Sequence, residues 1–106
     1  MDIVELQRRS HDMAKRKGWW DEERSFGDCI ALVHSELSEA LEEYRTHGME
    51  EYRDGDKPEG VDAELADVMI RVADMAEHYD IDLNSAILEK MAYNASRPHR
   101  HGGKRL

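Results

Sequence analysis

The chain has 106 residues, of which 15 are Lys or Arg and 24 are Asp or Glu, and its formal net charge is -9 at pH 7. This length fits a single domain spanning residues 1–106, and the acidic balance disfavours a nucleic-acid-binding protein, which normally needs a basic face to neutralise phosphates. The lone Cys29 excludes an internal disulfide. Because no apolar run is long enough for a transmembrane helix or a signal region, we expect a cytoplasmic protein with no membrane partner and no nucleic-acid partner.

Helical periodicity predicts an all-α fold of four helices, over residues 2–18, 25–48, 59–79 and 82–97. No segment alternates apolar and polar residues as a strand would, and the one hairpin-type dipeptide, Asp54-Gly55, has no apolar flanks. The polar loop over residues 49–60 is long for a compact domain, which suggests that it has a function. The basic residues 97–106 are predicted to form a tail that is mobile in isolation.

Two short acidic repeats, Glu36-x-x-Glu39 and Glu64-x-x-Asp67, lie in the second and third predicted helices. At about 100° per residue, Glu39 falls about 60° from Glu36, and Glu43 returns to within about 20° of it. Each repeat therefore forms a stripe beside the apolar sector of its helix. If those sectors pack together, the carboxylates converge along the edge of the seam, where like charges disfavour ionisation unless a cation intervenes.

Two interpretations of these stripes remain open from the residues alone. A solvated charged face is the commonest explanation of glutamate-rich helices. A divalent-metal site is the alternative, because both stripes border the apolar sector and few lysines stand four residues away to balance them. An all-carboxylate ligand set favours Mg²⁺, with Mn²⁺ as a substitute. A di-iron bundle would need Glu-x-x-His repeats, and no glutamate in this chain has a histidine three residues later.

Basic and aromatic residues supply candidates for binding a metal-bound polyphosphate. Lys90 and Asn94 are one turn apart on the fourth predicted helix, and Arg97 shares their face if the helix extends that far. Lys and Arg are also ordinary near a helix C-terminus, where they complement the dipole. Trp19 and Trp20 precede the second helix. Tryptophan is usually a packing residue, but a flat ring near a triphosphate site would suit base stacking.

Three segments together resemble a known family: HSELSEALEEYR (34–45), ELADV (64–68) and KMAYNASR (90–97). Their order, spacing and helical context are similar to those of the MazG-like, all-α nucleoside triphosphate pyrophosphohydrolases, over residues 25–106. The resemblance implies a Mg²⁺-dependent enzyme that cleaves a nucleoside triphosphate, such as a deoxynucleotide, to monophosphate and pyrophosphate. It also implies a role in nucleotide-pool clean-up or remodelling.

The resemblance assigns roles to particular residues. It implies four Mg²⁺ ligands, which are Glu36, Glu39, Glu64 and Asp67. Either Glu36 or Glu39 would orient or deprotonate the attacking water. Lys90 and Asn94 would contact phosphate or sugar, with Arg97 as a further candidate. Trp20, with its neighbour Trp19, is our candidate for contacting the base.

Members of this family assemble their sites at a dimer interface, and many short members are tetramers. The resemblance therefore implies a four-helix bundle completed by association of at least two copies, with a homotetramer favoured. Two alternatives stay open. A phosphoribosyl-ATP pyrophosphohydrolase of the same superfamily would share the acidic repeats. A non-catalytic helical interaction module would instead present the acidic stripes to a basic partner.

Overall fold

A computed structural model describes residues 1–98 and contains four helices with a short hairpin between the second and the third. The helices are α1 (Ile3–Arg16), α2 (Phe26–His47), α3 (Val61–His78) and α4 (Leu83–Ser96). The hairpin consists of β1 (Tyr52–Asp54) and β2 (Lys57–Glu59), which pair antiparallel. The described part of the chain is thus mostly helical and compatible with the all-α prediction, whereas the expectation that no strand forms is wrong for the loop over residues 49–60.

Capping side chains explain why three of the four helices begin where the sequence predicts. Asp2, Ser25 and Asp82 each accept a hydrogen bond from the backbone amide three residues further on, at 2.8, 3.0 and 3.0 Å. Such a bond satisfies one of the amides that the first helical turn leaves without an intrahelical partner. The observed helices are two or three residues shorter than the predicted ranges and otherwise match them.

Helix α3 begins immediately after the hairpin, at a position that requires glycine. Gly60 has φ +103°, and a Cβ at this position would lie 2.8 Å from the carbonyl oxygen of Glu50. Only glycine accepts both the positive φ and the close approach. The hairpin pairs Tyr52 with Glu59 and turns at Gly55, which has φ +63°. This connection leads directly from α2 into α3, and Glu64 lies in the first turn of α3.

Helix α3 is the centre of the packing, because α1 and α2 both pack against it, whereas α4 contacts α1. The buried apolar residues are small or flexible, and they are Cys29, Ala40, Ala73, Met75 and Ala76. No large side chain is fully buried in the described part of the chain. On α4 no residue is buried at all, and Leu88 and Met91 are 61% and 63% exposed. Much apolar surface therefore remains in contact with water, which limits the hydrophobic stabilisation of one chain alone.

Two further sequence predictions concern membranes and the C-terminal tail. Within residues 1–98, no helix combines the length and the apolar character that crossing a bilayer would require. The prediction of a mobile basic tail falls largely on residues 99–106, which lie outside the described residues. Arg97, the first residue of that predicted tail, caps the C-terminus of α4 through its backbone amide, which donates to the carbonyl of Asn94 at 3.2 Å.

Candidate metal centre

Three of the four predicted metal ligands converge where α2 packs against α3. Carboxylate oxygens of Glu36, Glu64 and Asp67 lie within 4.8 Å of one another. Glu36 is buried, with 8% of its surface exposed, while Asp67 faces solvent. Glu39, the fourth predicted ligand, is exposed and lies close enough to Glu64 to share a hydrogen bond with it. The seam between the two helices thus brings the acidic stripes together at its edge, as the angular spacing of residues around each helix predicts.

Of these carboxylates, Glu64 has the least favourable electrostatic surroundings. Its Oε2 atom is buried and accepts no hydrogen bond from any residue in the range 1–98. Burial, followed by the charge of Glu39 and a hydrogen bond shared with it, raises the pKa of Glu64 from 4.5 to about 7. Partial loss of hydration and the charge of Glu36 also raise the pKa of Asp67. A cation bound between these oxygens would remove the repulsion that raises both pKa values.

The hairpin adds a second group of carboxylates on the other side of Glu64. Oxygens of Glu43, Glu59 and Glu64 lie within 4.8 Å of one another. The Tyr52 hydroxyl donates to both oxygens of Glu43, at 3.0 and 2.8 Å, and this bond raises the pKa of Tyr52 to about 12. Lys57 pairs with Glu59 at 3.0 Å. Two members of this second group, Glu43 and Glu59, have a hydroxyl or cationic partner of their own, whereas in the first group only Glu36 does among the described residues, with Arg71. We therefore place the candidate metal centre at Glu36, Glu64 and Asp67.

Two cavities flank the carboxylates. One, of about 270 Å³, lies between α1 and the seam and is lined by Trp19, Arg71, Glu36 and Asp67, with Lys17 also at its wall. The other, of about 260 Å³, is bounded largely by glutamates of α2 and by Glu64. The first cavity combines an aromatic wall, cationic groups and the edge of the metal-ligand group. It is the better candidate for holding an organic ligand next to a bound cation.

The two adjacent tryptophans occupy different environments, which the sequence could not distinguish. Trp19 lines the cavity beside Glu36. Trp20 instead donates from Nε1 to Asp74 at 2.9 Å and stacks on His78, with ring centroids 3.7 Å apart. Trp20, the predicted base-binding residue, is therefore engaged inside the chain. Its neighbour Trp19 is the ring that adjoins the carboxylates.

Two of the predicted substrate-binding residues of α4, Lys90 and Asn94, form no ion pair or side-chain hydrogen bond with the four carboxylates among residues 1–98. Lys90 instead lies over the ring of Tyr93, 5.3 Å from its centroid, and Arg97 lies 5.6 Å from the same centroid. Within the described residues, neither Lys90 nor Asn94 is thus in polar contact with the candidate metal centre.

Arg71 is the site residue to which the sequence reasoning assigned no role. Its Nε atom lies 2.6 Å from Oε1 of Glu36, and its guanidinium lies over Trp19, 4.5 Å from the ring centroid. A signal was present, because Arg71 follows Asp67 by four residues and so continues the acidic stripe of α3 with a positive charge. The pattern could not indicate which carboxylate on the facing helix it would meet.

No family model matches the chain, and no curated protein or solved structure matches it either.

Proposed function

We propose that this chain is a Mg²⁺-dependent nucleoside triphosphate pyrophosphohydrolase of the MazG-like kind, converting a (deoxy)nucleoside triphosphate and water into the monophosphate and pyrophosphate. The observation that carries the proposal is the convergence of Glu36, Glu64 and Asp67 within 4.8 Å, next to a cavity with an aromatic wall. The buried Glu64 Oε2 without a hydrogen-bond partner in residues 1–98 supports a cation at this point, because buried carboxylate oxygens are rarely left unsatisfied.

The chemistry of the ligand atoms supports magnesium. Glu36, Glu64 and Asp67 offer only carboxylate oxygens, with Glu39 next to them, and no histidine joins this group in the described part of the chain. Hard oxygen donors suit Mg²⁺, with Mn²⁺ as a substitute. A bound divalent cation would neutralise the triphosphate and lower the pKa of a coordinated water. An acidic protein with a net charge of -9 needs such a cation to approach a polyanion.

Residues of the chain would divide the work of the reaction. The water oxygen forms a bond to the α-phosphorus while the bond from that phosphorus to the α–β bridging oxygen breaks, and the electron pair leaves with pyrophosphate. Glu39 is best suited to take the proton of the water, because it is exposed, whereas Glu36 is buried and is one of the three grouped ligands. Trp19, which lines the neighbouring cavity with Arg71 over its ring, would contact the base there in place of Trp20.

A second copy of the chain would complete the site. Large apolar side chains remain exposed on α2, α3 and α4, including Leu41, Met69 and Met91 at 51%, 52% and 63%. Exposed apolar surface spread over adjoining helices is typical of a protein–protein interface. We propose at least a homodimer, with a homotetramer favoured, in which α4 of one copy brings Lys90, Asn94 and Arg97 to the carboxylates of another. We also propose a cytoplasmic role in nucleotide-pool clean-up or remodelling.

The first test is release of pyrophosphate from a panel of canonical and modified nucleotides, including phosphoribosyl-ATP, with and without Mg²⁺. The proposal requires metal-dependent formation of monophosphate and pyrophosphate from at least one triphosphate. Preferential cleavage of phosphoribosyl-ATP would favour the alternative that the chain is a phosphoribosyl-ATP pyrophosphohydrolase. A helical interaction module would release no pyrophosphate, and its melting temperature would not respond to Mg²⁺ plus nucleotide.

The second test asks whether the site is shared between copies. Glu36→Gln and Lys90→Ala are each expected to be nearly inactive alone. After the two are mixed and allowed to exchange subunits, about a quarter of the wild-type activity should return, since half the dimers are mixed and each has one intact site. Glu36→Gln mixed with Glu64→Gln is the matched control. These two changes lie on the same side of a shared site, so every mixed site keeps one defect and no activity should return.

A further inference from the structure

The guanidinium of Arg71 stands at the boundary between the candidate metal centre and the Trp19 cavity. On one side its Nε atom lies 2.6 Å from Oε1 of Glu36. On the other it lies over the Trp19 ring, 4.5 Å from the centroid, and it forms part of the cavity wall. Within residues 1–98, it is the basic side chain that forms an ion pair with a proposed metal ligand. Arg71 is thus in contact with the places where a cation and an organic anion would bind.

The pair with Glu36 puts Arg71 in competition with a metal ion. Glu36 is 8% exposed, so its charge depends on a partner inside the protein, and in this structure that partner is Arg71. A divalent cation coordinated by the same carboxylate would be close to the guanidinium, and like charges at such separations repel strongly in a half-buried site. The cation and Arg71 therefore cannot both be held by Glu36 without a substantial loss of binding free energy.

We propose that Arg71 exchanges partners: it neutralises Glu36 in the metal-free protein, and a divalent cation displaces its guanidinium into the Trp19 cavity, where it binds an anionic group of the ligand. The inference rests on the proposed function for the presence of a cation at Glu36. The side chain is suited to both positions. Arginine keeps its charge at all relevant pH values, its planar fork matches carboxylate and phosphate equally well, and it stacks on aromatic rings. Such stacking would retain it beside Trp19 when Glu36 releases it.

This exchange couples the metal to the anion. Cation binding frees the guanidinium for the anion, and anion binding holds the guanidinium away from Glu36, so each ligand strengthens the binding of the other. In the absence of an anion, the metal must displace Arg71 without compensation. The chain would then bind metal weakly when free and tightly only together with its substrate.

The test measures Mn²⁺ affinity by isothermal titration calorimetry in nucleotide-free buffer, for the wild type and for Arg71→Met. Removal of the competing cation should tighten Mn²⁺ binding, by about fivefold or more on the scale typical of coupled sites. The matched control is Arg24→Met. Arg24 lies over the same Trp19 ring at 3.9 Å, but its Nε atom donates to the Trp19 carbonyl and not to a carboxylate of the group. The Mn²⁺ affinity of Arg24→Met should stay within about twofold of that of the wild type, because this change removes only a charge that acts through space.

A second arm adds sulfate as the anion probe. Sulfate should strengthen Mn²⁺ binding to the wild type severalfold and leave Arg71→Met unaffected. The wild-type response remains measurable even if Arg71→Met does not fold. Metal-free Arg71→Met should also melt below the wild type, because Glu36 loses its partner, and saturating Mn²⁺ should close most of that gap.

The outcomes separate this inference from the proposed function. Equal Mn²⁺ affinity in the wild type and Arg71→Met, or equal tightening in Arg24→Met, would overturn partner exchange and leave the metal site standing. Absence of a sulfate effect on the wild type would also overturn it. If neither the wild type nor Arg71→Met bound Mn²⁺, with or without sulfate, both the proposed metal site and the inference would fail together.

Discussion

Helix α3 carries carboxylates in two regions, and their surroundings differ. Asp74, near the C-terminal end, is 7% exposed and its Oδ1 atom meets two side chains, Trp20 Nε1 at 2.9 Å and His11 Nδ1 at 2.8 Å. Glu64 and Asp67, in the first two turns, face other carboxylates, and Glu64 keeps one buried oxygen without a partner in residues 1–98.

Asp74 is more buried than Glu64 or Asp67, and the two regions also differ in the partners of their carboxylates. Asp74 has polar partners supplied by α1 and the following loop, so it ties these segments to α3. Glu64 and Asp67 have mostly like charges as neighbours, opposed in part by Arg71 and Lys57 in the case of Asp67. A buried carboxylate with its own hydrogen-bond partners is a structural element. One that lacks them, such as Glu64, is a candidate ligand for the cation that we propose. Four predictions would break or sharpen this contrast.

The largest effect is expected from Asp67→Asn and from Glu39→Gln. Asp67→Asn removes a charge from the metal centre and Glu39→Gln removes the proposed proton acceptor, each with the size of the side chain kept, so pyrophosphate release should fall on the order of 100-fold or more. Far-ultraviolet circular dichroism should show the helix content of the wild type. Full turnover by Asp67→Asn would disprove the metal-centre assignment, and full turnover by Glu39→Gln would disprove the role of Glu39 as proton acceptor.

At Asp74 the expected loss is of stability. Asp74→Ala leaves His11 and Trp20 without their shared acceptor, and the free energy of unfolding should fall by about 2–3 kcal/mol. Urea denaturation measures this change. Addition of Mg²⁺ should not restore the loss, because Asp74 is not a proposed metal ligand. Restoration by Mg²⁺ would mean that Asp74 belongs to the metal centre after all.

Trp19 and Trp20 should respond in opposite ways. Trp19→Ala removes the proposed contact with the base, so the KM for the preferred nucleotide should rise about tenfold with the melting temperature little changed. Trp20→Phe keeps a ring on His78 but loses the bond to Asp74, so the melting temperature should fall with KM unchanged. The reverse result would return the base-binding role to Trp20.

The smallest effect is a dependence of stability on pH that comes from Glu64. In the metal-free protein its pKa is about 7, against 4.5 for the ordinary side chain, so the folded state holds a proton that the unfolded state has released. The stability from this group is complete below pH 4.5 and is lost as pH rises through about 7. The melting temperature of the wild type should therefore fall by several degrees relative to that of Glu64→Gln across this window. If the melting temperatures of the two proteins changed in parallel with pH, the raised pKa would be contradicted.

Several elements of the fold could be predicted because they depend on local chemistry. Asp2, Ser25 and Asp82 cap helices through bonds to amides three residues away, so the predicted starts of α1, α2 and α4 needed no tertiary information. The hairpin was missed because its strands have only three residues each and no apolar alternation. The dipeptide Asp54-Gly55, which leads into its turn at Gly55-Asp56, was visible in the sequence. The bond from Tyr52 to Glu43 shows that side-chain partners on α2 help to hold it.

The sequence by itself determined which faces of α2 and α3 carry the carboxylates, because the 3.6-residue period makes Glu36 and Glu39, and Glu64 and Asp67, share a stripe. Only the tertiary structure decided which of these atoms meet, since contacts such as that of Arg71 with Glu36, 35 residues apart, depend on how far one helix slides and rotates against the other. The same holds for the tryptophans. Trp19 and Trp20 are neighbours in the chain, but the packing of α1 on α3 directs Trp20 to Asp74 and leaves Trp19 beside the carboxylates.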